Sequence, residues 1–223
     1  MRYIRQEQLD FIPKDLYKTT KNKKLILIGC GGIGSPLAEI LTRGGFLNLT
    51  LIDFDKISES NLNRQIFFEE DINKNKSETL HKYLLKINKN AQIKSHNIEI
   101  DKDNINRYCK EADLIIDATD NFNIRKIINE FCVENQKDWI YNGAIKTQII
   151  SCIFYSQNNK FDKVFSSNLI EEKASDVGIL PSTTFLAAST AFNQILKYFL
   201  GIKENKLVKI NLWNNQIFEI NLE

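Results

Sequence analysis

Apolar runs four or five residues long, set between polar stretches, dominate the first part of the chain. Lys24-Leu25-Ile26-Leu27-Ile28 is one, with lysines before it and glycines after it. A continuous apolar run of this length suits a strand buried on both faces of a parallel sheet. Leu49-Thr50-Leu51-Ile52-Asp53 and Asp113-Leu114-Ile115-Ile116-Asp117 read the same way. Between such runs the period lengthens. Residues 36–42 predict a helix that Gly44-Gly45 ends. Residues 77–88 carry Leu80, Tyr83, Leu84 and Ile87 at helical spacing. Residues 92–100 read as a strand, 103–110 as a short helix and 124–134 as another helix, and Trp139-Ile140-Tyr141 starts a fifth strand. This alternation predicts a doubly wound α/β fold.

The pattern then changes. Residues 148–155 are strand-like, and 156–176 are polar and read as a long mobile loop. Residues 183–200 predict a long helix with Phe185, Leu186, Ala188, Ala191, Phe192, Ile195, Leu196 and Phe199 on a broad apolar face and Gly201 as its cap. Residues 207–212 and 216–222 alternate in polarity around Asn214-Asn215, a β-hairpin pattern. The expectation is a Rossmann-like, doubly wound, mostly parallel sheet extended by C-terminal antiparallel strands. The 223 residues read as one domain. Residues 1–22 form an N-terminal arm, 23–145 a nucleotide-binding part and 146–223 an antiparallel extension.

Composition narrows the function. Apolar residues at 43% and charged residues at 26% exclude a disordered chain. A net charge of +2 argues against a dedicated nucleic-acid or membrane-surface binder. No apolar run approaches the roughly 20 residues that span a bilayer. Met1-Arg2-Tyr3 continues polar with no apolar leader. Cys30, Cys109, Cys132 and Cys152 are scattered, with no C-x-x-C pair, so they read as reduced thiols of a cytoplasmic protein rather than zinc ligands. His81 and His96 cannot build a His-rich metal site.

Gly29-Cys30-Gly31-Gly32-Ile33-Gly34 follows a predicted strand and opens a helix. It holds G-x-G-x-x-G at Gly29, Gly31 and Gly34: a tight turn, a close approach of backbone to phosphate, and close helix–strand packing. Helix N-terminal N–H groups then face the phosphates. A glycine turn with no ligand is the alternative. Asp53 ends the second strand, where a carboxylate accepts ribose hydroxyls. Both NAD and ATP fit this far. The polar segment from Asp53 to Gln65 favours ATP, because Asn61 and Arg64 project toward the phosphate end and Lys76 follows. Cations there stabilise charge on a leaving pyrophosphate. A solvated charged loop is the bland reading. In Asp117-Ala118-Thr119-Asp120-Asn121, Asp120 is placed either to hold Mg²⁺ or to cap the next helix.

Taken together, these residues resemble the ThiF/MoeB/HesA family, bacterial relatives of ubiquitin-activating enzymes. The resemblance runs from Arg2-Tyr3-Ile4-Arg5-Gln6 through the glycine loop, Asp53-Phe54-Asp55, Ser60-Asn61-Leu62-Asn63-Arg64-Gln65, Lys76 and Asp117-Ala118-Thr119-Asp120-Asn121 to Gly178-Ile179-Leu180-Pro181. It implies ATP-dependent adenylation of the C-terminal glycine of a small ubiquitin-fold sulfur carrier ending in Gly-Gly, docked on the antiparallel extension. By resemblance Gly29, Gly31, Gly32, Gly34, Asp53 and Asp55 bind the nucleotide. Asn61, Arg64 and Lys76 bind phosphates and act in catalysis, Asp120 holds Mg²⁺, and Arg5 crosses a homodimer to the other protomer's site.

Three departures from the family pattern shape the rest. Neither Phe161-Asp162-Lys163-Val164-Phe165 nor Glu219-Ile220-Asn221-Leu222-Glu223 carries the family's C-x-x-C pairs, so zinc is not expected. Lys173-Ala174-Ser175-Asp176-Val177 lacks the cysteine many members use. Asn73 and Asn75 stand where a glycine and a proline are usual, which leaves Lys74 as a rival to Lys76. Cys30 reads as a packing residue. Glu70-Asp71-Ile72 favours a ThiS-like carrier of thiamine thiazole synthesis over a MoaD-like one. The alternatives are a non-catalytic scaffold of the same fold, a relative of the tRNA-modifying dehydratases, and an NAD-dependent oxidoreductase.

Overall fold

A computed structural model of the chain describes residues 2–165 and 177–222. Residues 166–176 of the loop read over 156–176, with the cysteine-free stretch at Lys173 to Asp176, and Glu223 lie outside the described residues. Two short helices open the chain, α1 (Ile4–Glu7) and α2 (Leu16–Thr20). The α/β part follows: β1 (Lys24–Ile28), α3 (Gly34–Arg43), β2 (Asn48–Ile52), α4 (Lys76–Ile87), β3 (Gln92–His96), α5 (Ile105–Cys109), β4 (Leu114–Asp117), α6 (Phe122–Glu134) and β5 (Trp139–Ile145). It continues through β6 (Gln148–Phe154), α7 (Phe161–Val164), α8 (Pro181–Phe199), β7 (Lys206–Asn211) and β8 (Gln216–Asn221).

These strands form a single eight-stranded sheet in the order β3-β2-β1-β4-β5-β6-β7-β8. β1 lies parallel to β2 and β4, with Ile28 opposite both Ile52 and Asp117. That register brings the carboxyl ends of three strands to one edge, and the order reverses between β1 and β4, the place where such folds bind ligands. From β5 onward the pairing is antiparallel. One core cluster packs Leu25, Leu27, Leu49, Leu51 and Ile116 against the apolar sides of α3, α4 and α8. The other packs Ile26, Ile28, Ile115 and Trp139 against Ile128, Phe131 and Phe161. No helix among the described residues is long and apolar enough to cross a membrane.

The structure corrects several expectations. β3 ends at His96 rather than at 100, because Ile98, Glu99 and Ile100 leave the sheet and wall the cavity described below. α5 begins two residues late and ends one early. Residues 156–165 are not a plain loop: a 3-10 turn and α7 place Phe161 within 5.4 Å of the Trp139 ring. The buried face of α8 is narrower and smaller than its apolar pattern implies. Ala187, Ala188, Ala191 and Ile195 are buried beside Thr184 and Gln194, while Phe185 is exposed. Small residues let α8 lie close to α3, and the buried polar ones carry hydrogen bonds described below. β8 alternates in sequence, yet every residue in it is exposed. It forms one edge of the sheet, with neither face covered by the described residues.

Candidate active site

The loop between β1 and α3 is held open by geometry only glycine supplies at two points. Gly29 has φ +93°, and a Cβ on it would sit 2.6 Å from the Ala118 carbonyl at the end of β4. A Cβ on Gly34 would run into the Gly29 carbonyl. The turn therefore packs backbone against backbone, and Gly31 to Ile33, just before α3, line a cavity of about 420 Å³. Gly29, Gly31, Gly32, Asp53, Asp55, Asn61, Arg64, Lys76 and Asp120 all line this cavity. Gly34 lies beneath it as packing.

Asp53 follows β2 and is 9% exposed. Its carboxylate accepts the Cys30 N–H at 2.6 Å and the Asp55 N–H at 2.8 Å, tying the glycine loop to the second strand. Burial raises the Asp53 carboxyl above its ordinary pKa, and Lys76 with the two N–H donors pulls it back. Lys76 begins α4, and its Nζ stands 2.7 Å from Asp55 Oδ2 with the lysine nearly buried. Lys74 pairs with Asp71 at 2.9 Å on an exposed turn and is absent from the cavity wall. Asn61 accepts the Ser58 N–H at 3.2 Å, which fixes its amide. Arg64 Nη1 donates to the Ser60 carbonyl at 2.7 Å and to Asn63 Oδ1 at 3.0 Å. The Arg64 stem lies over Gly32, and the Thr184 hydroxyl donates to the Arg64 carbonyl.

The capping alternative for Asp120 does not hold. Asn121 caps α6, accepting the N–H groups of Asn123 and Ile124. That leaves the Asp120 carboxylate exposed at the cavity edge with no hydrogen bond or ion pair to other described residues. One carboxylate on such an edge fits Mg²⁺, which takes one or two protein carboxylates and fills its remaining positions with phosphate oxygens and water. Among the described residues no cluster of three or more His, Cys, Asp or Glu side chains comes together.

Arg5 is not in this cavity. The arm binds the opposite end of the sheet: Arg2 donates to the Ile87 carbonyl at the end of α4, and Gln6 to the Arg43 carbonyl at the end of α3. Tyr3 packs on Tyr17 with ring centroids 5.3 Å apart and accepts a hydrogen bond from Asn88. Tyr3 thus anchors the arm, but Ile4 does not, because it is 48% exposed. Cys30 is fully buried, and burial with Asp53 nearby pushes its thiol well above the usual range. It packs the loop and carries no thiolate.

Sequence reasoning passed over Arg125. Its Nε donates to buried Asp117 at 3.0 Å, its Nη2 to the Thr119 carbonyl at 2.6 Å, and its guanidinium lies 4.5 Å from the Tyr141 ring centre. Thr119 closes the network with two bonds to the other Asp117 oxygen. Asn142, Ser151 and Gln194 extend it across β5 and β6 to α8. The loop bearing Asp120 is thereby fixed from below. The available signal was spacing: Arg125 follows the capping Asn121 by four residues, one helical turn. The cavity also runs past the glycine loop to an apolar lining of Gly143, Ala144, Ile145, Ile150 and Ile179 on β5, β6 and the approach to α8.

Comparison with known proteins agrees with this architecture. The model of the ThiF family matches residues 3–223. A ubiquitin-like modifier-activating enzyme 5 from Dictyostelium discoideum is 31% identical over 211 residues, covering 84% of this chain and 55% of that protein. The chain spans about half the length of several such relatives. A molybdopterin-synthase adenylyltransferase from Haemophilus influenzae is 28% identical over 231 residues, covering 100% of this chain and 94% of the relative. Among solved structures, E. coli MccB with MccA-N7isoASN superposes with a TM-score of 0.85 at 24% identity, covering 100% of this chain and 72% of MccB. That likeness is one of fold. With the family model spanning nearly every residue, the chain belongs to the ThiF family.

Proposed function

We propose that this chain transfers AMP from ATP to the C-terminal carboxylate of a small ubiquitin-fold sulfur carrier ending in Gly-Gly, releasing pyrophosphate. The observation that carries the reading is one cavity with two ends. Asn61, Arg64, Lys76 and Asp120 surround the end at the glycine loop, and an apolar lobe continues from it along β5 and β6. The first suits a polyphosphate, and the second suits an uncharged chain end that must arrive beside it. A relative named as an adenylyltransferase and a neighbour solved with ATP support the same chemistry.

In the reaction a carboxylate oxygen attacks the α-phosphorus, the bond to the bridging oxygen breaks, and its electron pair leaves on pyrophosphate. No proton moves, since the carboxylate is ionised near neutral pH. The difficulty is bringing one anion onto another, so positioned cations do most of the work. Lys76 exchanges its Asp55 contact for phosphate, and Arg64 turns from Ser60 to the leaving group. Asp53 holds the ribose, and Asp120 would hold Mg²⁺. When bound, the ion supplies divalent charge across phosphate oxygens. The antiparallel extension, 146–223, is the carrier-binding part of the domain. Four buried free thiols among the described residues support a reducing, cytoplasmic setting. Asp71, in the stretch that favours a ThiS-like carrier, accepts the Phe68 N–H and pairs with Lys74, local tasks independent of any carrier. A ThiS-like carrier remains the first to try and a MoaD-like one the second, on the Glu70-Asp71-Ile72 sequence alone.

The test is pyrophosphate–ATP exchange that depends on the carrier's Gly-Gly end and on Mg²⁺. Arg64→Ala and Lys76→Ala should each lower turnover by ~10²–10³ with little change in ATP affinity. Hydride transfer from NADH without exchange would overturn the reading, and a crippled Lys74→Ala beside an active Lys76→Ala would move the catalytic lysine by two positions. The protein acts as a homodimer with Arg5 in trans. Support comes from the position of Arg5, exposed and at the far end of its own sheet, on an arm whose Ile4, Leu9 and Phe11 are exposed too. Arg5→Ala and Asp120→Ala proteins should each be nearly inactive and regain activity after subunit exchange. No recovery despite demonstrated exchange would exclude a trans role for Arg5.

A further inference from the structure

Gln65 ends the segment that brings Asn61 and Arg64 to the cavity. Its backbone N–H is fixed on the Asn61 carbonyl at 3.1 Å, and its side chain is 7% exposed on the cavity lining. The amide nitrogen faces the middle glycine of the loop, 3.6 Å from where a Cβ on Gly31 would stand. The amide oxygen is sealed from solvent and has no hydrogen-bond partner among the described residues. A buried acceptor left unmet destabilises a fold, whereas methionine has nearly the same volume and would fill the place without that penalty. The residue thus keeps a buried amide beside the glycine loop at a cost in stability, and its N–H donor, on the cavity lining, has no partner among the described residues either.

We propose that Gln65 is a phosphate ligand of the nucleotide, donating its amide N–H to a phosphate oxygen beside Gly31. A neutral donor at this point grips the phosphate without adding to the charge of Arg64 and Lys76. The inference rests on reading the cavity as a nucleotide site, and the experiment separates the two. ATP and adenosine are titrated against wild type, Gln65→Met and Gln65→Glu, beside urea denaturation of the ligand-free proteins. Gln65→Met should bind ATP roughly tenfold more weakly, adenosine equally, and unfold at the same or a higher urea concentration. Gln65→Glu should lose more of its ATP affinity, because a carboxylate repels phosphate, while adenosine binding stays constant. Opposite signs for affinity and stability are what a purely structural residue would not produce. Unchanged ATP affinity in both variants, equal losses for ATP and adenosine, or failure of both variants to fold would overturn the proposal. A wild-type protein that binds no ATP would remove the nucleotide reading itself.

Discussion

β4 and β8 are strands of one sheet with opposite fates. In β4 all four residues, Leu114 to Asp117, are buried. In β8 all six are exposed, among them Ile217 at 68%, Phe218 at 48% and Ile220 at 51%, with Trp213 at 75% in the preceding turn. Position in the sheet makes the difference: β4 is flanked by β1 and β5 and covered on both faces, whereas β8 has one neighbour and an open edge. Burial is a property of the neighbours and not of the strand's own letters. The polar groups follow the same rule. Asp117 in β4 is fully buried and answered by Arg125, Thr119 and its backbone, and Glu219 in β8 pairs with Lys206 across the hairpin, exposed to solvent. Apolar side chains that contribute nothing to this chain's core are a liability at an open edge unless something else covers them.

The largest effect expected from this contrast is electrostatic. Arg125→Met leaves Asp117 buried beside an apolar side chain and should destabilise the fold by ~3–5 kcal/mol. Lys206→Met removes a solvent-exposed partner of Glu219 and should leave stability nearly unchanged. Urea denaturation of both variants reads the difference, and equal losses would erase it. Next comes packing. Ile116 is fully buried between the helix layer and the sheet, so Ile116→Ala should cost ~2–5 kcal/mol. Ile220→Ala, on an open face, should stay within ~0.5 kcal/mol.

The same contrast marks how far the sequence can be read. The buried parallel strands announce themselves because both faces are covered, so their apolar letters run without a break, as in Leu25 to Ile28. The glycine loop, Asp53, Arg64 and Lys76 are legible because the phosphate site proposed for them calls for those residue types in that order, and the fold brings them round one cavity. Burial within polar surroundings is less visible. Arg125, Thr184 and Gln194 look like surface residues in sequence and become interior only when β4, β6 and α8 close around them. The opposite error occurs in α8 and β8, where Phe185 and Ile217 look like core letters and lie outside. The residues after His96 read as strand because Ile98 and Ile100 alternate with polar ones, yet they turn away to wall the cavity.

The smallest effect on stability is also the sharpest test of what the open edge is for. Trp213 and Ile217 are exposed and join no core among the described residues, so Trp213→Ser and Ile217→Ser should each shift the urea midpoint by no more than ~0.5 kcal/mol equivalent. Large aromatic and aliphatic side chains that dock a partner behave otherwise in binding, where a central tryptophan is worth ~2 kcal/mol or more. In the exchange assay the KM for the carrier should therefore rise by about tenfold or more for Trp213→Ser, with ATP affinity and turnover at saturating carrier unchanged. A uniform-binding loss of that kind places the residue on the carrier's path and outside the chemistry. If the substitutions cost more than ~1 kcal/mol of stability, these side chains do pack in this chain and the contrast with β4 collapses. If stability and KM both hold, the edge is exposed for some purpose other than the carrier.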